Sequence, residues 1–587
     1  MLGGTTSAAF VQIDSELDAV SHQALHEFVR AFDLSSWSVV PGESVALLCD
    51  GNSQTTAVLV ALLTKYCAVP LSADAPPHVT ASLLQQSGAR CLLSAVGTRE
   101  SMRSRAKEAT QSVNIPFVEL DITVDGALTP PLMPNSRTSP RRWYATAQRL
   151  AGRKKQKTQK QMTHQNSEES TCLLLFTSGT TSRPKCVPFS LTRLRAAACA
   201  VTTTLILTGT DVNLSLLPLF HVGGIVVNML APLLSRGSAL LLSRFDAAVV
   251  LSELSKPHVT WCHAVRAWLP PALASIRPVP ILTRILHAHP VLLLATPVLL
   301  TTAHAHDARP AASMWMLLLE CTTSQQQGVA KPSSLRLVRS AGSILTHERS
   351  QQLRRLFDSA AVLPCYGMTE CLPITSPPLR YALERPGSVG PAVCDVRLQI
   401  RRHGDPPNLA TEFGRDRNAT AAKDEVGEVG VASKSLLFSG YREARVADSG
   451  LSDGWLSTGD LGCLDADGWL SLTGRLKECI NRGGELLSPG VIEEALVDHP
   501  AINGVAMVFG VAHAVLQEVP AVAILDSSIA TLEELRSFAA DRLSSTQLPQ
   551  LLVRVGRLPR NDLGKVRPAC KRASTPTDDI LVHTHPL

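Results

Sequence analysis

One short polar segment follows a buried strand and has the residue types needed to hold a polyphosphate. The segment Thr177–Lys185 reads Thr-Ser-Gly-Thr-Thr-Ser-Arg-Pro-Lys, and it comes directly after the apolar run Thr171–Phe176. Small residues let consecutive backbone N–H groups converge on an anion, hydroxyls add donors, and a lysine adds a mobile positive charge. The P-loop spacing does not fit, because Pro184 precedes the lysine and no second glycine is present. A Ser/Thr-rich surface turn is the alternative, but nine residues in this order favour a nucleotide site.

Four further segments contain side chains suited to a nucleotide and a carboxylate. In chain order they are Tyr366–Glu370, Ser457–Asp460, Gly474–Glu478 and Asn561–Lys565. Together with the Thr177–Lys185 segment, and in this order, they resemble the motifs of adenylate-forming enzymes. The chain is therefore similar to acyl-CoA synthetases of the AMP-binding superfamily. The Thr-Ser-Arg-Pro-Lys ending of the first segment also looks like the branch that includes oxalate-activating CoA ligases.

The resemblance implies a two-step reaction and its cosubstrates. It covers residues 21–571 apart from two insertions. In this family a carboxylate attacks the α-phosphorus of ATP, giving acyl-AMP and pyrophosphate, and a thiol then displaces AMP. Both steps are displacements in which a protein mainly positions groups and neutralises charge. The resemblance therefore implies a small-molecule carboxylic acid, ATP with Mg²⁺, and CoA as a substrate.

The resemblance also implies contacts between these segments and the nucleotide. Glu370 is expected to anchor Mg²⁺, an ion that prefers oxygen ligands, and Thr369 to donate to the α-phosphate. Tyr366 is expected to stack on adenine, and Asp460 to accept from both ribose hydroxyls. A strand-end turn is the alternative for Tyr366–Glu370, and a plain turn aspartate is the alternative for Asp460. The expected nucleotide-binding residues are Thr177, Ser178, Gly179, Thr180, Thr181, Lys185, Ala341, Gly342, Tyr366, Gly367, Met368, Asp460 and Arg475.

Other expected site residues serve the acid, the thiol and the change between half-reactions. Lys565 is expected to bridge carboxylate and α-phosphate oxygens, and Lys477 to be the hinge about which a small domain rotates. Gly483 and Gly484 would let the pantetheine arm of CoA pass close to the backbone, with a simple hairpin as the alternative. His221 matches a position that lines the acyl pocket, with a packed core histidine as the alternative. The expected catalytic residues are Lys565, Thr369, Glu370 and His221.

Helix and strand patterns alternate along the part of the chain that must position these segments. Apolar residues at helical spacing predict helices over 23–32 and 56–66. Continuous apolar runs predict buried strands over 44–49, 89–94, 171–176, 213–219, 239–242, 258–261 and 335–340. Strands that alternate with helices are typical of a mainly parallel α/β sheet.

A different pattern occupies the rest of the 587-residue chain. Asp-Gly turns at 453–454 and 467–468 predict a hairpin-rich subdomain over 425–472. Beyond residue 475, helices near 488–498 and 532–543 and strands near 504–508 and 521–525 are expected. The predicted fold class is α/β, with a large N-terminal domain over 1–475 that combines mainly parallel sheets with a β-rich subdomain. Residues 476–587 are expected to form a small mobile α+β domain.

Two segments depart from these patterns. Residues 133–170 are rich in proline, arginine, lysine and glutamine, which is typical of a disordered basic insertion. Residues 270–332 lack either period and predict an irregular insertion, whose histidines we interpret as compositional. The composition of this second segment resembles translated non-coding sequence, so a gene-model error is the alternative. A smaller departure is Cys186, which stands where relatives commonly have glycine.

Composition limits the other functions open to the chain. A net charge of +6 with 4% aromatic residues argues against a nucleic-acid partner. The 14 cysteines include no C-x-x-C pair, which indicates reduced thiols. We expect neither a secretory signal nor an integral membrane segment, because no apolar run has the required length. A cytoplasmic location is expected, and a peroxisomal one stays open because His-Pro-Leu only faintly resembles the peroxisomal ending.

These observations favour an ATP-dependent carboxylic acid:CoA ligase. One alternative is an adenylation module that loads the phosphopantetheine arm of a carrier protein. The sequence has no carrier-like Asp-Ser-Leu helix start, which favours free CoA and leaves open a carrier partner in trans. A second alternative is a non-catalytic relative whose 270–332 insertion disrupts the acyl pocket.

Overall fold

The computed structural model describes residues 8–13, 19–95, 98–120, 169–177, 184–243, 245–265, 334–342, 345, 347–402, 425–442, 449–496, 499–502, 506–525 and 528–555. These residues form two compact units, the first ending at Thr473 and the second beginning at Gly474. Both expected insertions lie outside the described residues, apart from positions 169 and 170. So do six residues of the expected phosphate loop, 178–183, which include the expected nucleotide-binding residues Ser178, Gly179, Thr180 and Thr181, and so does the expected catalytic Lys565.

Strands and helices alternate through the first part of unit 1. Its strands are β1 (Ala8–Gln12), β2 (Val20–Ser21), β3 (Ser44–Cys49), β4 (Cys67–Ser72), β5 (Leu92–Ala95), β6 (Phe117–Leu120), β7 (Thr171–Thr177), β8 (Lys185–Ser190), β9 (Val212–Ser215), β10 (Ser238–Leu241), β11 (Trp261–Val265), β12 (Leu337–Ala341) and β13 (Ala361–Pro364). Its helices are α1 (His22–Ala31), α2 (Ser53–Lys65), α3 (Pro77–Ser87), α4 (Glu100–Ser112), α5 (Leu191–Thr204), α6 (Ala231–Leu234), α7 (Ala247–Leu254) and α8 (His347–Leu356), with 3₁₀ turns at Ser35–Trp37 and π-helical turns at Gly224–Leu230. Side-chain oxygens of Ser21, Asn52 and Ser190 accept backbone N–H groups at the starts of α1, α2 and α5.

Two mainly parallel sheets are built from these strands. The six-stranded sheet has the order β6-β5-β3-β4-β7-β8, and its antiparallel pair is β7–β8. The seven-stranded sheet has the order β13-β12-β11-β9-β10-β1-β2, and its antiparallel pair is β1–β2. Ligands of open α/β sheets bind beyond the carboxyl ends of the strands. The segments that follow β7, β12 and β13 begin at such ends.

Several strand bounds differ from the sequence expectation. The strand expected at 89–94 begins only at Leu92, because the Ala89 N–H donates to the Leu84 carbonyl of α3. The strand expected at 258–261 begins only at Trp261, because residues 256–259 form a turn in which the Val259 N–H donates to the Lys256 carbonyl at 3.4 Å. The strand expected at 213–219 is confined to β9, because Pro218 lies in the turn that leads to the π-helical segment. By contrast, the strand expected at 44–49 coincides with β3.

Antiparallel strands make up the second part of unit 1. The strands are β14 (Tyr366–Met368), β15 (Cys371–Thr375), β16 (Ser388–Pro391), β17 (Arg397–Arg402), β18 (Gly427–Ala432), β19 (Leu451–Ser452), β20 (Trp455–Leu464) and β21 (Trp469–Arg475). Strands β14 and β15 pair as a hairpin, and the other six form a sheet of order β16-β21-β20-β18-β17 with β19 beside β20. Asp453 (φ 48°) and Gly454 (φ 79°) form the turn before β20, which is the left-handed geometry that Asp-Gly favours in hairpins.

Unit 2 has an α+β arrangement. It contains β22 (Ile480–Arg482), β23 (Glu485–Leu487), β24 (Met507–His513), β25 (Gln517–Leu525) and β26 (Leu551–Val555), with α9 (Pro489–Leu496), α10 (Leu532–Ala539) and 3₁₀ turns at Leu476–Glu478 and Pro500–Ile502. The sheet order is β23-β22-β25-β24, and β26 pairs with β25. Apolar residues of α9, α10 and β25 form one core. The sheets and helices of the two units confirm the predicted α/β and α+β fold class. No helix of the described residues is long and apolar enough to cross a membrane.

Candidate functional site

The two ends of the Thr177–Lys185 segment are held by strand pairing. Thr177 lies opposite Lys185 in the β7–β8 ladder, and the Thr177 hydroxyl donates to the Lys185 carbonyl at 3.5 Å. The Gln86 amide of α3 donates to the Pro184 carbonyl at 2.9 Å. Cys186, the sequence departure, is 2% exposed and packs in an apolar core. The two ends of the segment therefore lie next to each other, on adjacent strands of the sheet.

Lys185, at the end of this segment, begins a chain of side-chain contacts that continues through Tyr441 to Glu370. The Lys185 ammonium lies 4.5 Å from the centre of the Tyr441 ring. The Tyr441 hydroxyl donates to Glu370 Oε1 at 2.6 Å. Burial and, next, the Glu370 carboxylate raise the pKa of Tyr441, so the phenol remains a hydrogen-bond donor. Glu370 and Lys185, both predicted site residues, therefore contact the same side chain, Glu370 at the Tyr441 hydroxyl and Lys185 at the Tyr441 ring.

Arg193 of α5 holds the turn that carries Glu370. Its Nη2 donates to the carbonyls of Thr369 at 2.9 Å and Glu370 at 2.8 Å. Its Nε donates to the Leu436 carbonyl at 2.9 Å, and its Nη1 to the Pro188 carbonyl at 3.1 Å. Burial lowers the pKa of Arg193 to about 10, which leaves the guanidinium charged at neutral pH. One side chain thus ties the Glu370 turn to β8 and to the segment before Tyr441.

A second buried contact lies at the other end of the Tyr366–Glu370 segment. The Tyr366 hydroxyl donates to Asp460 Oδ2 at 2.6 Å, and the two residues are 8% and 6% exposed. Asp460 belongs to β20, whose pairing with β18 shifts register next to Gly459 (φ 73°). A bulge of this kind re-aims the side chain that follows it. The bulge therefore turns the Asp460 carboxylate towards Tyr366.

The end of β12 lies beside the strand that leads to Tyr366. Ser340 pairs with Pro364 in the ladder, and its carbonyl accepts from the Cys365 N–H at 2.8 Å. The strand ends at Ala341, and Gly342 follows with φ 83°, a left-handed conformation that favours glycine. The structure therefore brings the predicted Ala341–Gly342 pair next to the Tyr366 segment.

His221 lies in a tight turn before the π-helical segment. Its N–H donates to the Pro218 carbonyl at 3.2 Å, and its carbonyl accepts from the Ile225 N–H at 3.1 Å. A Cβ atom on Gly224 would lie 2.1 Å from the Pro218 oxygen, so this turn requires glycine there. The turn accounts for the glycine, whereas the role of the His221 imidazole stays a prediction.

Of the other predicted residues that are described, Gly367 and Met368 lie in β14, and the remaining four lie in or at the start of unit 2. The Arg475 carbonyl accepts from the Cys479 N–H at 3.1 Å across the 3₁₀ turn that contains Lys477. Gly483 (φ 60°) and Gly484 (φ 99°) connect β22 to β23. They form the hairpin named above as the alternative, and their contact with CoA stays a prediction.

Two residues of this arrangement, Tyr441 and Arg193, are not identified by the sequence patterns. Tyr441 follows a glycine in the first half of the hairpin-rich region, and Arg193 lies in the first turn of α5. Both lie far from Glu370 along the chain, at separations of 71 and 177 positions. Only their tertiary contacts show that they hold this carboxylate and its turn.

Comparison with known proteins assigns most of the chain to two family models. Residues 9–442 match the model described as AMP-binding enzyme. Residues 491–565 match the model described as AMP-binding enzyme C-terminal domain. The first match alone spans more than half of the 587 residues.

Similar proteins with an assigned activity include CoA ligases. The oxalate–CoA ligase of Arabidopsis thaliana is 27% identical over 561 residues, which cover 93% of this chain and 92% of that protein. The sulfoacetate–CoA ligase of Cupriavidus necator is 29% identical, with 68% of this chain and 66% of that protein covered.

Solved structures share the fold across nearly the whole chain. The o-succinylbenzoate CoA synthetase of Bacillus subtilis, solved with an acyl-adenylate intermediate, matches with a TM-score of 0.70 and 21% identity. That match covers 98% of this chain and 96% of the other. ATP-bound MatB from Rhodopseudomonas palustris matches with a TM-score of 0.68 and 20% identity, covering 96% and 95%. At these identities the structural matches establish the fold alone.

Proposed function

The chain belongs to the AMP-binding enzyme family, and from this membership we propose that it is an ATP-dependent carboxylic acid:CoA ligase. The acid is activated as acyl-AMP with release of pyrophosphate, and the CoA thiol then displaces AMP. One observation supports the proposal above the others. The segment Tyr366–Glu370 makes a buried polar contact at each end. At one end the Tyr366 hydroxyl donates to the Asp460 carboxylate. At the other end the Glu370 carboxylate accepts from the Tyr441 hydroxyl, and the Lys185 ammonium lies over the Tyr441 ring.

Asp460 is the proposed receptor for the ribose. A carboxylate accepts hydrogen bonds from two neighbouring hydroxyls, and such charge-assisted bonds are stronger than neutral ones. The Tyr366 hydroxyl fixes the orientation of this carboxylate through the 2.6 Å contact. The Tyr366 ring is the proposed stacking surface for adenine, with Gly367, Met368, Ala341 and Gly342 beside it. Arg475 completes the proposed nucleotide set.

Glu370 is the proposed protein ligand of Mg²⁺. Within the described ranges, no group of three or more His, Cys, Asp and Glu side chains forms a metal cage. Mg²⁺ fits this donor set, because it is usually bound through one or two carboxylates together with substrate phosphates. Tyr441 orients the Glu370 carboxylate, and Arg193 holds its backbone. When bound, the ion would neutralise negative charge on the phosphates.

Cations and hydroxyl groups would bind the rest of the triphosphate. The strand pairing of Thr177 with Lys185 places both ends of the loop together, so that loop N–H groups can converge on pyrophosphate. Lys185 supplies positive charge there, and Thr369 donates to the α-phosphate. Lys565 would bridge the acid carboxylate and the α-phosphate as the new bond forms.

The second step is proposed to use unit 2. Gly483 and Gly484 have no side chain that would block a pantetheine arm, and their positive φ angles suit glycine. Lys477 is the proposed hinge between the half-reactions. His221 is proposed to line the pocket for the acid.

Acid-dependent exchange of labelled pyrophosphate into ATP tests the first step, and detection of a CoA thioester tests the second. We expect both activities from the full-length protein with Mg²⁺ and a suitable acid. Lys565→Ala should lower exchange about a hundredfold or more, because a cation placed at developing charge is lost. The same variant should still form the thioester from supplied acyl-AMP, since that step does not need the lysine.

Lys571→Ala, a change at another lysine near the end of the chain, is the matched control and should leave both activities unchanged. Absence of exchange with every acid would exclude an adenylating enzyme. Exchange without a CoA thioester, but with loading of a carrier phosphopantetheine, would establish the carrier-loading alternative.

A further inference from the structure

Four polar side chains lie buried on one face of the seven-stranded sheet. They are Asn213 of β9, Trp261 and His263 of β11, and Arg339 of β12, each between 0% and 2% exposed. Asn213 pairs with Trp261, and His263 pairs with Arg339, so strand alternation places all four on the same face. Strands buried on both faces are ordinarily apolar throughout. This polar cluster therefore requires an explanation.

The cluster contains polar atoms that are not satisfied within the described part of the chain. Arg339 Nη1, Trp261 Nε1 and both amide atoms of Asn213 are buried and have no hydrogen-bond partner there. Leaving such groups unpaired costs stability, most of all for a charged group. The His263 Nδ1–H donates to the Arg339 carbonyl at 3.2 Å. Burial and, next, the Arg339 charge hold the pKa of His263 well below its usual range, so Arg339 carries the positive charge of the cluster.

Two other arginines of the same unit, one buried and one half-buried, have contacts typical of a structural role. Arg193 donates to four backbone carbonyls, as described above. Arg336, three residues before Arg339, binds both oxygens of Asp211 at 2.7 and 2.9 Å. Among the described residues, Arg339 Nη1 has neither kind of partner. Arg339 Nη1 is therefore a buried donor that could bind the acceptor atom of a ligand.

The cluster lies against the segment proposed to line the acid pocket. A Cβ atom on Gly223 would lie 3.7 Å from His263 Nε2. Gly223 is two residues from His221, so no side chain separates the His221 turn from the cluster at this point. Arg339 is also two residues before Ala341 on β12, whose end borders the proposed nucleotide site. The polar face thus extends between the proposed acid and nucleotide positions.

We propose that the cluster, with Arg339 as its cation, binds a second anionic group of the acid, so that the substrate is a dicarboxylate or a similar dianion. This inference rests on the proposed acid:CoA ligase function. A guanidinium binds a carboxylate through two parallel hydrogen bonds. The Trp261 N–H and the Asn213 amide add neutral donors. A dianion would accept from the unpaired N–H groups of Arg339, Trp261 and Asn213 while its other carboxylate remains available to attack ATP, whereas an acid with an apolar tail would leave these donors unpaired.

Acids matched in shape test this proposal directly on the full-length protein. Oxalate, malonate and succinate are each compared with their monoamides, oxamate, malonamate and succinamate, in Mg²⁺-ATP pyrophosphate exchange. Each monoamide keeps one carboxylate and the overall shape but replaces the second charge with a neutral amide. For at least one pair we expect kcat/KM for the diacid to exceed that for the monoamide about ten- to a hundredfold, the effect of hydrogen bonds to a charged group.

Arg339→Met removes the charge and keeps much of the volume, and it should reduce the preference for the diacid at least about tenfold. Arg339→Lys keeps the charge without the planar fork and should retain part of the preference. Arg355→Met, at an exposed arginine of α8, changes the net charge equally and should leave the preference unchanged. Thermal stabilisation by Mg²⁺-ATP shows that each variant is folded.

The outcomes separate the inference from the proposed function. Activation of monoamides and simple monocarboxylates as well as of every diacid would overturn the inference and leave the ligase function in place. A diacid preference that Arg339→Met leaves unchanged would also overturn it. No exchange with any acid would overturn the ligase function and the inference with it. Should Arg339→Met not fold, the wild-type ratios and the Arg339→Lys ratio decide.

Discussion

At the scale of single residues, the hydrogen bond from Tyr366 to Asp460 orients the carboxylate that is predicted to bind the ribose hydroxyls. The two residues are 94 positions apart, and their side chains meet at 2.6 Å. A carboxylate that is already oriented loses less conformational freedom when it binds the ribose hydroxyls. The pair therefore accounts for how a bulged strand could present a preorganised acceptor.

Asp460→Ala is expected to raise the KM for ATP strongly. Hydrogen bonds to a charged group contribute about 1.5–3 kcal/mol each, so losing two should raise KM about a hundredfold or more. Tyr366→Phe keeps the aromatic surface but removes the hydroxyl that orients Asp460, and it should raise KM by a smaller factor. Steady-state kinetics with varied ATP measure both changes.

Asp467→Ala is the control for this pair, because Asp467 is an exposed turn aspartate that pairs with Arg385. Exposed ion pairs contribute little, so the KM for ATP should not change. An unchanged KM in folded Asp460→Ala would contradict the ribose assignment.

At the scale of elements, Arg193 connects α5 to three other segments. Its guanidinium donates to one carbonyl of β8 and to three carbonyls in the antiparallel part of unit 1, at distances between 2.8 and 3.1 Å. The planar guanidinium can make these bonds at once because its donors point outward in a fixed fork. The turn with Glu370 is thus held from its backbone as well as from its side chain.

Arg193→Met is expected to lower the free energy of unfolding by about 3 kcal/mol or more, because buried carbonyls lose a charged donor. It should also lower pyrophosphate exchange, since the Glu370 turn is no longer held. Denaturant unfolding followed by circular dichroism gives the first quantity.

Arg195→Met, two residues along the same helix at an exposed position, should change stability by no more than about 0.5 kcal/mol. Equal stability of Arg193→Met and Arg195→Met would show that the carbonyl contacts contribute little.

At the scale of the whole molecule, the proposed reaction requires one chain to perform two different displacements. Lys477 lies in the 3₁₀ turn Leu476–Glu478, a few residues after the division between the compact units. A residue that changes its backbone angles between the two steps would be sensitive to proline, which holds φ near about −65°. That angle is compatible with a 3₁₀ turn.

Lys477→Pro should therefore leave adenylation largely intact and abolish thioester formation. Pyrophosphate exchange and CoA-thioester production are measured on the same preparation, and Lys477→Ala should retain both. Parallel loss of the two activities, or retention of both, would show that Lys477 is not the hinge.

The sequence by itself determined the local elements and the family. The strand at 44–49 and the Asp453–Gly454 turn were predicted correctly, because apolar runs and left-handed turn residues act over a few positions. The ordered motifs indicated the family, since nucleotide chemistry requires those residue types in one chain. The start of β11 was predicted too early, because residues 256–259 form a turn, and the Lys256 and Val259 carbonyls of this turn accept from the distant Ser334 hydroxyl.

Only the tertiary structure decided which side chains act together. Tyr441 and Arg193 reach Glu370 across 71 and 177 positions, and neither belongs to a motif. Arg339 and His263 lie side by side because β11 pairs with β12 although 71 residues separate the two strands along the chain. The spacing of apolar residues along a helix or strand indicates which of its faces is buried. Strand order and register decide what that face meets, and they depend on packing between segments far apart in the sequence.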